Sequence, residues 1–151
     1  MTSITSSKPA QFRFYQPVQV RYADLDTLRH VNNVKVLEYV ETARTGYYKA
    51  SGIWDGAIRD GFGMVVASVH IDYVESIQYG DTIRVGIMVR ALGSKSLRFW
   101  FQVESSEGER VFAKGEVVMV AYDFETRRSR AVPKDWREKL AAFEQNEELL
   151  A

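Results

Sequence analysis

Hydrophobic and polar residues follow two different periods along this chain, and each period predicts a different kind of element. Between residues 33 and 50, apolar side chains return every three to four positions, which is the spacing of one helical face. Further apolar residues occupy the other faces, which predicts a helix that is buried on most sides. Ser51-Gly52 follows, and a glycine in this place favours a helix C-terminus. The residues that carry the helical period are Val36, Val40, Ala43, Tyr47 and Ala50.

Five other segments are rich in β-forming residues, and the clearest of them alternate apolar with polar side chains, as half-buried strands do. The turns between the last four segments are short and contain glycine, which favours hairpins and therefore an antiparallel sheet. Pro17 in the first segment indicates an edge strand or a bulge. The predicted strands span residues 12–22, 64–76, 83–90, 97–104 and 111–122.

Two further segments complete an α+β prediction. Pro133 is expected to open a C-terminal helix with Trp136, Leu140 and Phe143 on one stripe, and residues 54–61 are expected to hold one short helical turn. One long apolar helix facing one curved antiparallel sheet is a stable two-layer arrangement. The order along the chain is therefore strand, buried helix, four strands and terminal helix.

The two ends of the chain and one face of the sheet lead to further expectations. Residues 1–11 are polar and rich in Ser and Thr, which predicts a flexible tail, and residues 12–151 have a length typical of a single domain. Apolar residues are also expected on the sheet face that points away from the long helix, and such a face indicates a partner subunit. These residues are Trp100, Phe112, Val118 and Val120.

Composition narrows the range of functions. The 151 residues include no cysteine, so disulfides, thiolate metal sites and a cysteine nucleophile are excluded. Twenty Lys and Arg balance twenty Asp and Glu, which argues against a nucleic-acid partner because such proteins usually carry a basic excess. The sequence has neither an apolar stretch of membrane-spanning length nor a signal-peptide core, so we expect a cytoplasmic protein without a membrane partner.

The segment 21–33 concentrates the residues that could carry chemistry. It places two carboxylates, a histidine and two amides in a loop that leads into the predicted buried helix. Asp and Asn are common helix N-caps, so capping and turn formation alone would explain some of them. The cluster is richer than one cap requires, and the free N–H groups of a helix start can stabilise a developing anion. Asp26 could then deprotonate water or attack a thioester carbonyl directly.

Several short runs carry a resemblance to a known family. They are residues 24–26, 30–33, 37–39, 41–44, 71–73, 80–81 and 123–133, and the match extends from about residue 14 to 133. Together they resemble the 4-hydroxybenzoyl-CoA thioesterase family of hotdog-fold enzymes. The resemblance implies an antiparallel sheet wrapped around the long helix, homodimers or homotetramers, and an active site at the subunit interface. It also implies an acyl-CoA or acyl-carrier-protein substrate, with no metal or cofactor.

The same resemblance assigns roles to individual residues. Asp26 matches the family's catalytic carboxylate, which acts as base or nucleophile. The backbone N–H of Asn33 matches the donor that polarises the thioester carbonyl. Val36 stands where relatives often carry Tyr, so the shape of the acyl pocket is expected to differ.

The remaining candidates each have a structural alternative. His30 could position Asp26 or line the pocket, but a packed, hydrogen-bonded histidine fits equally. Asn32 could contact substrate, but it also suits a loop brace or helix cap. Glu41 is a second carboxylate option, or an ion-pair partner for Arg44. Met64 could line the acyl pocket, but core packing explains it equally well. Lys95 and Arg98 could contact the CoA phosphates, but each could also be an ordinary solvated surface residue.

Two rival functions stay open on the sequence alone. Hotdog-fold hydratases or dehydratases use a closely spaced Asp and His, but the expected spacing of five residues with an intervening Pro is absent here. The second rival is a protein of the same fold that binds acyl-CoA without hydrolysing it. Retention of Asp26 argues against this second rival without excluding it.

Overall fold

A computed structural model describes residues 12–151, so the predicted tail at residues 1–11 lies outside the described residues. The described part contains one long helix, a six-stranded sheet, a second helix near the C-terminus and two short 3-10 helices. The elements are β1 (Tyr15–Val18), α1 (Asn33–Ser51), β2 (Phe62–Tyr73), β3 (Ile83–Leu92), β4 (Ser96–Ser105), β5 (Val111–Asp123), β6 (Arg128–Ser129) and α2 (Lys134–Glu144), with 3-10 helices at Tyr22–Asp24 and Glu147–Leu150.

The sheet is antiparallel throughout, with strand order β1-β3-β4-β5-β2 and β6 paired to β5. The strands β3, β4 and β5 are joined by the short turns that the sequence predicted. Because β1 and β2 end the strand order, they form the edges of the sheet. The predicted α+β architecture, one curved antiparallel sheet with a long helix and a C-terminal helix, is confirmed.

Helix α1 forms the second layer of the core. Its N-cap is Asn32, and it ends at Gly52, whose φ of 81° is the left-handed conformation that glycine adopts readily. Val40, Ala43 and Tyr47 are each at most 1% exposed, because this face packs against β3, β1 and β4. The helix therefore covers one side of the sheet and leaves much of β2 uncovered on the same face.

Helix α2 is fastened to the core by a buried carboxylate. Glu144 accepts hydrogen bonds from the Tyr47 hydroxyl and, at 3.1 Å, from the Val89 backbone N–H. The N–H of Val89 is available because it points to the β1 side of β3, as does the N–H of Ile87, and the pairing of β3 with β1 ends at Gly86. Burial raises the pKa of the Glu144 carboxyl.

Local predictions fail where side-chain hydrogen bonds replace regular structure. Residues 54–61 form bends and turns with no helical turn, because Asp55 accepts from the N–H of Ala57 at 2.9 Å and the Trp54 indole donates to the carbonyl of Ala57 at 2.8 Å. The first strand is only four residues long, and a 3-10 helix occupies the end of the segment predicted as its continuation.

The apolar residues expected on the outer sheet face are less exposed than predicted. Trp100, Val118 and Val120 are half-buried, and the prediction for Phe112 is wrong, since it is 1% exposed. Phe112 is the extra residue of a bulge, because Val103 pairs with Ala113 whereas Glu104 pairs with Val111. Large exposed apolar side chains lie instead along the edge strand β2 and its exit and at the start of α1, namely Val34, Val66, Val69, Tyr73 and Val74.

Candidate active site

The loop that precedes α1 is held against the helix by a buried aspartate. Asp24 is fully buried, and its carboxylate accepts from the Tyr39 hydroxyl at 2.5 Å and from the Arg21 N–H and guanidinium at 3.0 Å. Burial would raise the pKa of Asp24, but the hydrogen bonds from Tyr39 and Arg21 hold it below its usual value. The Asp24 carbonyl also accepts from the N–H of Asn32 at 2.9 Å. Asp24 therefore braces the loop, while the second aspartate of the pair stays accessible.

Asp26 lies in a tight turn that fixes both its backbone and its side chain. Its N–H donates to the His30 carbonyl at 2.9 Å, and its carbonyl accepts from the Arg29 N–H at 3.0 Å. Its Oδ1 accepts from the N–H of Leu28 at 2.9 Å. Among the described residues, no donor bonds the other carboxylate oxygen, Oδ2. One oxygen orients the side chain, and the other is available for chemistry.

The start of α1 presents an unbonded amide. The Asn32 side chain accepts from the N–H of Val34 at 2.9 Å, which is the capping arrangement. The Asn33 N–H, one position earlier, makes no hydrogen bond within residues 12–151. The Tyr73 hydroxyl donates to the Asn33 carbonyl at 3.0 Å and so ties the end of β2 to the helix start.

Asp26 and Asn33 line the same cavity, whose volume is about 330 Å³. His30 and Val36 line it too, so four of the predicted site residues meet here. The His30 ring is half-buried, and its backbone pairs with Gln78. Asn32 does not line the cavity, and its side chain serves as the helix cap. The remaining lining residues are Val31, Tyr73, Val74, Glu75, Ser76, Ile77, Phe112 and Ala113.

Several lining residues could not be identified from their sequence context. Phe112 reaches the cavity only because of the bulge in β5. The Phe112 carbonyl accepts from the N–H of Val74 at 2.8 Å and from the N–H of Glu75 at 3.0 Å. Glu75 adds a second carboxylate to the cavity wall, but it is bonded to the Arg110 guanidinium, at 3.1 Å to Nε. Tyr73 belongs to the run 71–73 that carries the family resemblance, but its place within a predicted strand did not indicate that it would line this cavity.

The other substrate-binding candidates lie apart from this cavity. Glu41 and Met64 line a separate cavity of about 550 Å³ further along α1, and Glu41 lies 3.9 Å from the Arg44 guanidinium. Arg98 is exposed and ion-paired with Glu116, and Lys95 is exposed in the turn between β3 and β4. Neither Lys95 nor Arg98 lines the cavity that contains Asp26, so their assignment to CoA phosphates stays a prediction.

Two residues that line one cavity, Asp26 and Asn33, supply a carboxylate oxygen and an amide hydrogen that no described residue bonds. A carboxylate can accept a proton from water or attack a carbonyl carbon, and an amide at a helix start stabilises an oxyanion. Residues 20–140 match the Thioesterase-like superfamily. The chain belongs to this superfamily. The predicted hotdog-fold thioesterase relationship is thereby confirmed at the level of the superfamily.

Individual relatives agree with this membership. The long-chain acyl-CoA thioesterase FadM of Escherichia coli (strain K12) is 29% identical over 124 residues, which are 82% of this chain and 93% of FadM. The uncharacterized protein YsmA of Bacillus subtilis (strain 168) is 34% identical over 109 residues, 72% of each chain. The crystal structure of a thioesterase complexed with coenzyme A and Zn from Thermus thermophilus is 35% identical, with a TM-score of 0.74, and the match covers 89% of this chain and 96% of that one.

The described residues hold neither a cluster of metal ligands nor a membrane-spanning helix. Within residues 12–151, no group of three or more His, Asp and Glu side chains is placed to hold a metal ion. In the same part of the chain, no helix combines the length and the apolar character needed to cross a membrane.

Proposed function

We propose that this protein hydrolyses an acyl-CoA thioester to a carboxylic acid and free CoA, with Asp26 as the catalytic carboxylate. The observation that carries the proposal is that Asp26 and Asn33 line the same cavity, while one Asp26 carboxylate oxygen and the Asn33 N–H make no hydrogen bond within residues 12–151. The superfamily membership and the acyl-CoA thioesterase named among the relatives support the choice of a thioester as the bond that is cleaved.

In the proposed reaction, the thioester carbonyl oxygen accepts a hydrogen bond from the Asn33 N–H. Asp26 either removes a proton from the attacking water or adds to the carbonyl carbon and forms an anhydride that water then hydrolyses. The C–S bond breaks, the thiolate of CoA leaves, and the acyl group ends as a carboxylate. One amide donor to the oxyanion lowers the barrier by roughly 3 kcal/mol. His30 lines the cavity and holds the Asp26 backbone through its carbonyl, so we assign it a positioning role.

The test is the substitution Asp26→Asn. It keeps the size of the side chain and its acceptor for the Leu28 N–H, so the turn should persist, while the basic oxygen is lost. We expect kcat/KM to fall by about 10²–10⁴, measured as thiol release from a series of acyl-CoA chain lengths. Glu75→Gln is the matched control, because Glu75 is the second carboxylate that lines the cavity. We expect a smaller fall in kcat/KM than for Asp26→Asn, because the Glu75 carboxylate is already hydrogen-bonded to the Arg110 guanidinium. An Asp26→Asn protein with wild-type activity and melting temperature would refute the role of Asp26.

The same proposal includes self-association through β2. This strand is an edge of the sheet, and Val66 and Val69 on its helix-facing side are 48% and 45% exposed. We expect Val69→Lys to shift the protein towards monomer in light scattering at micromolar concentration. Leu150→Lys places the same charge on an equally exposed residue at the C-terminus and should leave the mass unchanged. A wild-type protein that is monomeric at this concentration would contradict an interface at β2.

The two rival functions predict different results when the protein is incubated with acyl-CoA. An enoyl-CoA hydratase would consume a double bond without releasing thiol, and a non-catalytic binder would bind acyl-CoA and leave it intact. An unbonded Asp26 oxygen and an unbonded helix amide on residues of one cavity favour hydrolysis over both. Cytoplasmic location stays a prediction from the sequence.

A further inference from the structure

A further cavity lies at the far end of α1, where that helix meets the start of α2. Its volume is about 590 Å³, and small-molecule sites typically measure roughly 300–1,000 Å³. It shares no lining residue with the cavity that contains Asp26, and α1 is 19 residues long, so its two ends lie roughly 28 Å apart. We propose that this α1–α2 cavity binds an aromatic carboxylate, with the carboxylate at the start of α2 and the ring among the aromatic side chains of the wall.

Four aromatic side chains form the apolar wall of the α1–α2 cavity. The Trp136 ring packs against Phe62 with centroids 5.2 Å apart and against Trp54 at 6.4 Å, and the Trp54 ring packs against Tyr48 at 5.3 Å. All four side chains line the cavity. Aromatic rings pack favourably on one another in offset and edge-to-face arrangements. The wall therefore suits a flat aromatic ligand better than a flexible aliphatic one.

The start of α2 presents amide hydrogens that the protein leaves without a partner. The N-cap residue is Pro133, whose side chain cannot accept a hydrogen bond. The N–H groups of Lys134 and Asp135 make no hydrogen bond within residues 12–151. Pro133 and Asp135 both line the α1–α2 cavity. Unbonded amides at the start of a helix are suited to binding a carboxylate.

Trp136 gives a second, independent indication of a ligand that accepts hydrogen bonds. This residue lines the cavity and is only 6% exposed. Its indole N–H has no acceptor in the part of the chain that the structure describes, whereas the Trp54 indole donates to the Ala57 carbonyl at 2.8 Å. The Trp136 nitrogen is also not sealed in the interior, as the unpaired nitrogen of Trp100 is. Because a buried indole usually has an acceptor, the free N–H indicates a place for one in the cavity.

The charges on the cavity wall leave a cation without a partner. Asp55 is paired with Arg59, and Asp135 lies 3.7 Å from the Lys139 ammonium. Lys49 also lines the cavity, and its ammonium forms no ion pair with any described residue. The unbonded groups are thus two backbone amides, an indole N–H and an ammonium, and all of them are donors. A ligand that satisfies them supplies acceptor oxygens and a negative charge.

Titration calorimetry with 2-naphthoate tests this proposal without relying on the proposed hydrolysis, because it measures binding directly. We expect 2-naphthoate to bind wild type and Asp26→Asn alike, and the neutral 2-naphthamide to bind about tenfold more weakly. Decanoate, an aliphatic carboxylate, should also bind more weakly than 2-naphthoate. Loss of binding in Asp26→Asn would place the ligand in the other cavity and overturn the proposal. The proposal also fails if 2-naphthoate does not bind, or if the amide or decanoate binds as tightly.

Two substitutions test the donors individually. Trp136→Phe removes the indole N–H and keeps an aromatic ring, so the affinity for 2-naphthoate should fall about tenfold and the affinity for 2-naphthamide should fall less. Trp100→Phe is the matched control, because its indole N–H is also unpaired but it lies on the outer face of the sheet. Lys49→Gln should weaken the binding of 2-naphthoate about threefold at low salt and less at high salt, whereas Lys114→Gln, at another exposed lysine, should not.

The melting temperature of each variant without ligand shows whether it folds. If Trp136→Phe is folded and binds 2-naphthoate as tightly as wild type, or if Trp100→Phe loses as much affinity, the assignment to the α1–α2 cavity is overturned. If Trp136→Phe does not fold, the comparison of the three compounds on wild type and Asp26→Asn decides the matter. Failure to hydrolyse any thioester would overturn the proposed function and leave this binding result unaffected.

Discussion

Two buried tyrosines on α1 allow the bracing of the turn that carries Asp26 to be tested against an internal control. Tyr39 donates to the buried Asp24, which holds the turn, and Tyr47 donates to the buried Glu144, which holds α2. Each Tyr→Phe substitution removes one hydroxyl and no packing atom. A hydrogen bond to a charged group contributes about 1.5–3 kcal/mol, so each variant should lose roughly 2 kcal/mol of the free energy of unfolding. For a chain of this length, that corresponds to a fall in Tm of about 4–8 °C.

The two variants should differ in activity although they are destabilised alike. Without the Tyr39 hydroxyl, Asp24 keeps its bonds to Arg21, whose side chain is largely exposed, so the turn that carries Asp26 is held less firmly. We expect kcat of Tyr39→Phe to fall about tenfold at a temperature well below its Tm, because small misplacements of a reacting group are costly. Tyr47→Phe alters the opposite end of the core and should keep kcat within about twofold of wild type, a margin of roughly 0.4 kcal/mol.

The pH dependence of stability gives an independent check on the same brace. Because the folded pKa of Asp24 is lowered, its stabilising contribution is complete above the unfolded value of about 3.9 and is lost as pH falls through the folded pKa. The stability difference between wild type and Tyr39→Phe should therefore shrink in acid. If Tyr39→Phe is as stable and as active as wild type, or if both variants lose activity equally, the reasoning that links Asp24 to the position of Asp26 is refuted.

Two further substitutions have expected outcomes. Burial raises the pKa of the Glu144 carboxyl, so the folded protein keeps this carboxyl protonated to a higher pH than the unfolded chain does. The free energy of unfolding should therefore fall as pH rises from about 4.3, the unfolded value, through the folded pKa. Glu144→Gln should reduce this fall, which urea denaturation at pH 5 and pH 8 would reveal, and an unchanged pH dependence would contradict it. Tyr73→Phe removes the 3.0 Å bond to the Asn33 carbonyl and should lower kcat/KM about two- to tenfold, since a neutral hydrogen bond contributes about 0.5–1.5 kcal/mol. Unaltered kinetics would show that this tie is dispensable.

The parts of the fold that local sequence determines were predicted closely. The predicted helix at residues 33–50 ends one residue before the observed one, because its period, its Asn32 cap and its Gly52 terminator all lie within or beside the segment. The strands β3 and β4 begin and end within two residues of their predicted bounds for the same reason, since alternation and glycine turns are local signals. Four of the predicted site residues line one cavity: the composition of the loop indicated Asp26 and His30, and the family resemblance indicated Asn33 and Val36.

The parts that depend on a distant strand were not predictable. The segment predicted to continue β2 to residue 76 leaves the sheet after Tyr73, because the N–H groups of Val74 and Glu75 both turn to the carbonyl of Phe112. That bulge is a property of how β5 pairs with its neighbours, and no pattern near Phe112 encodes it. The lining residues at the exit of β2 and at the bulge of β5 were therefore not predicted, whereas the lining residues close to Asp26 in sequence were.

The exposure of Asp26 connects the proposed self-association with the proposed hydrolysis. In the single protomer this side chain is exposed, and the neighbouring edge strand presents Val69 and Tyr73 to solvent. Electrostatic stabilisation of an oxyanion by one amide is strong only where water is excluded, because bulk water screens the interaction. The cavity must therefore be closed by something other than the residues that form its floor. A second copy packed on β2 would cover the cavity on the β2 side.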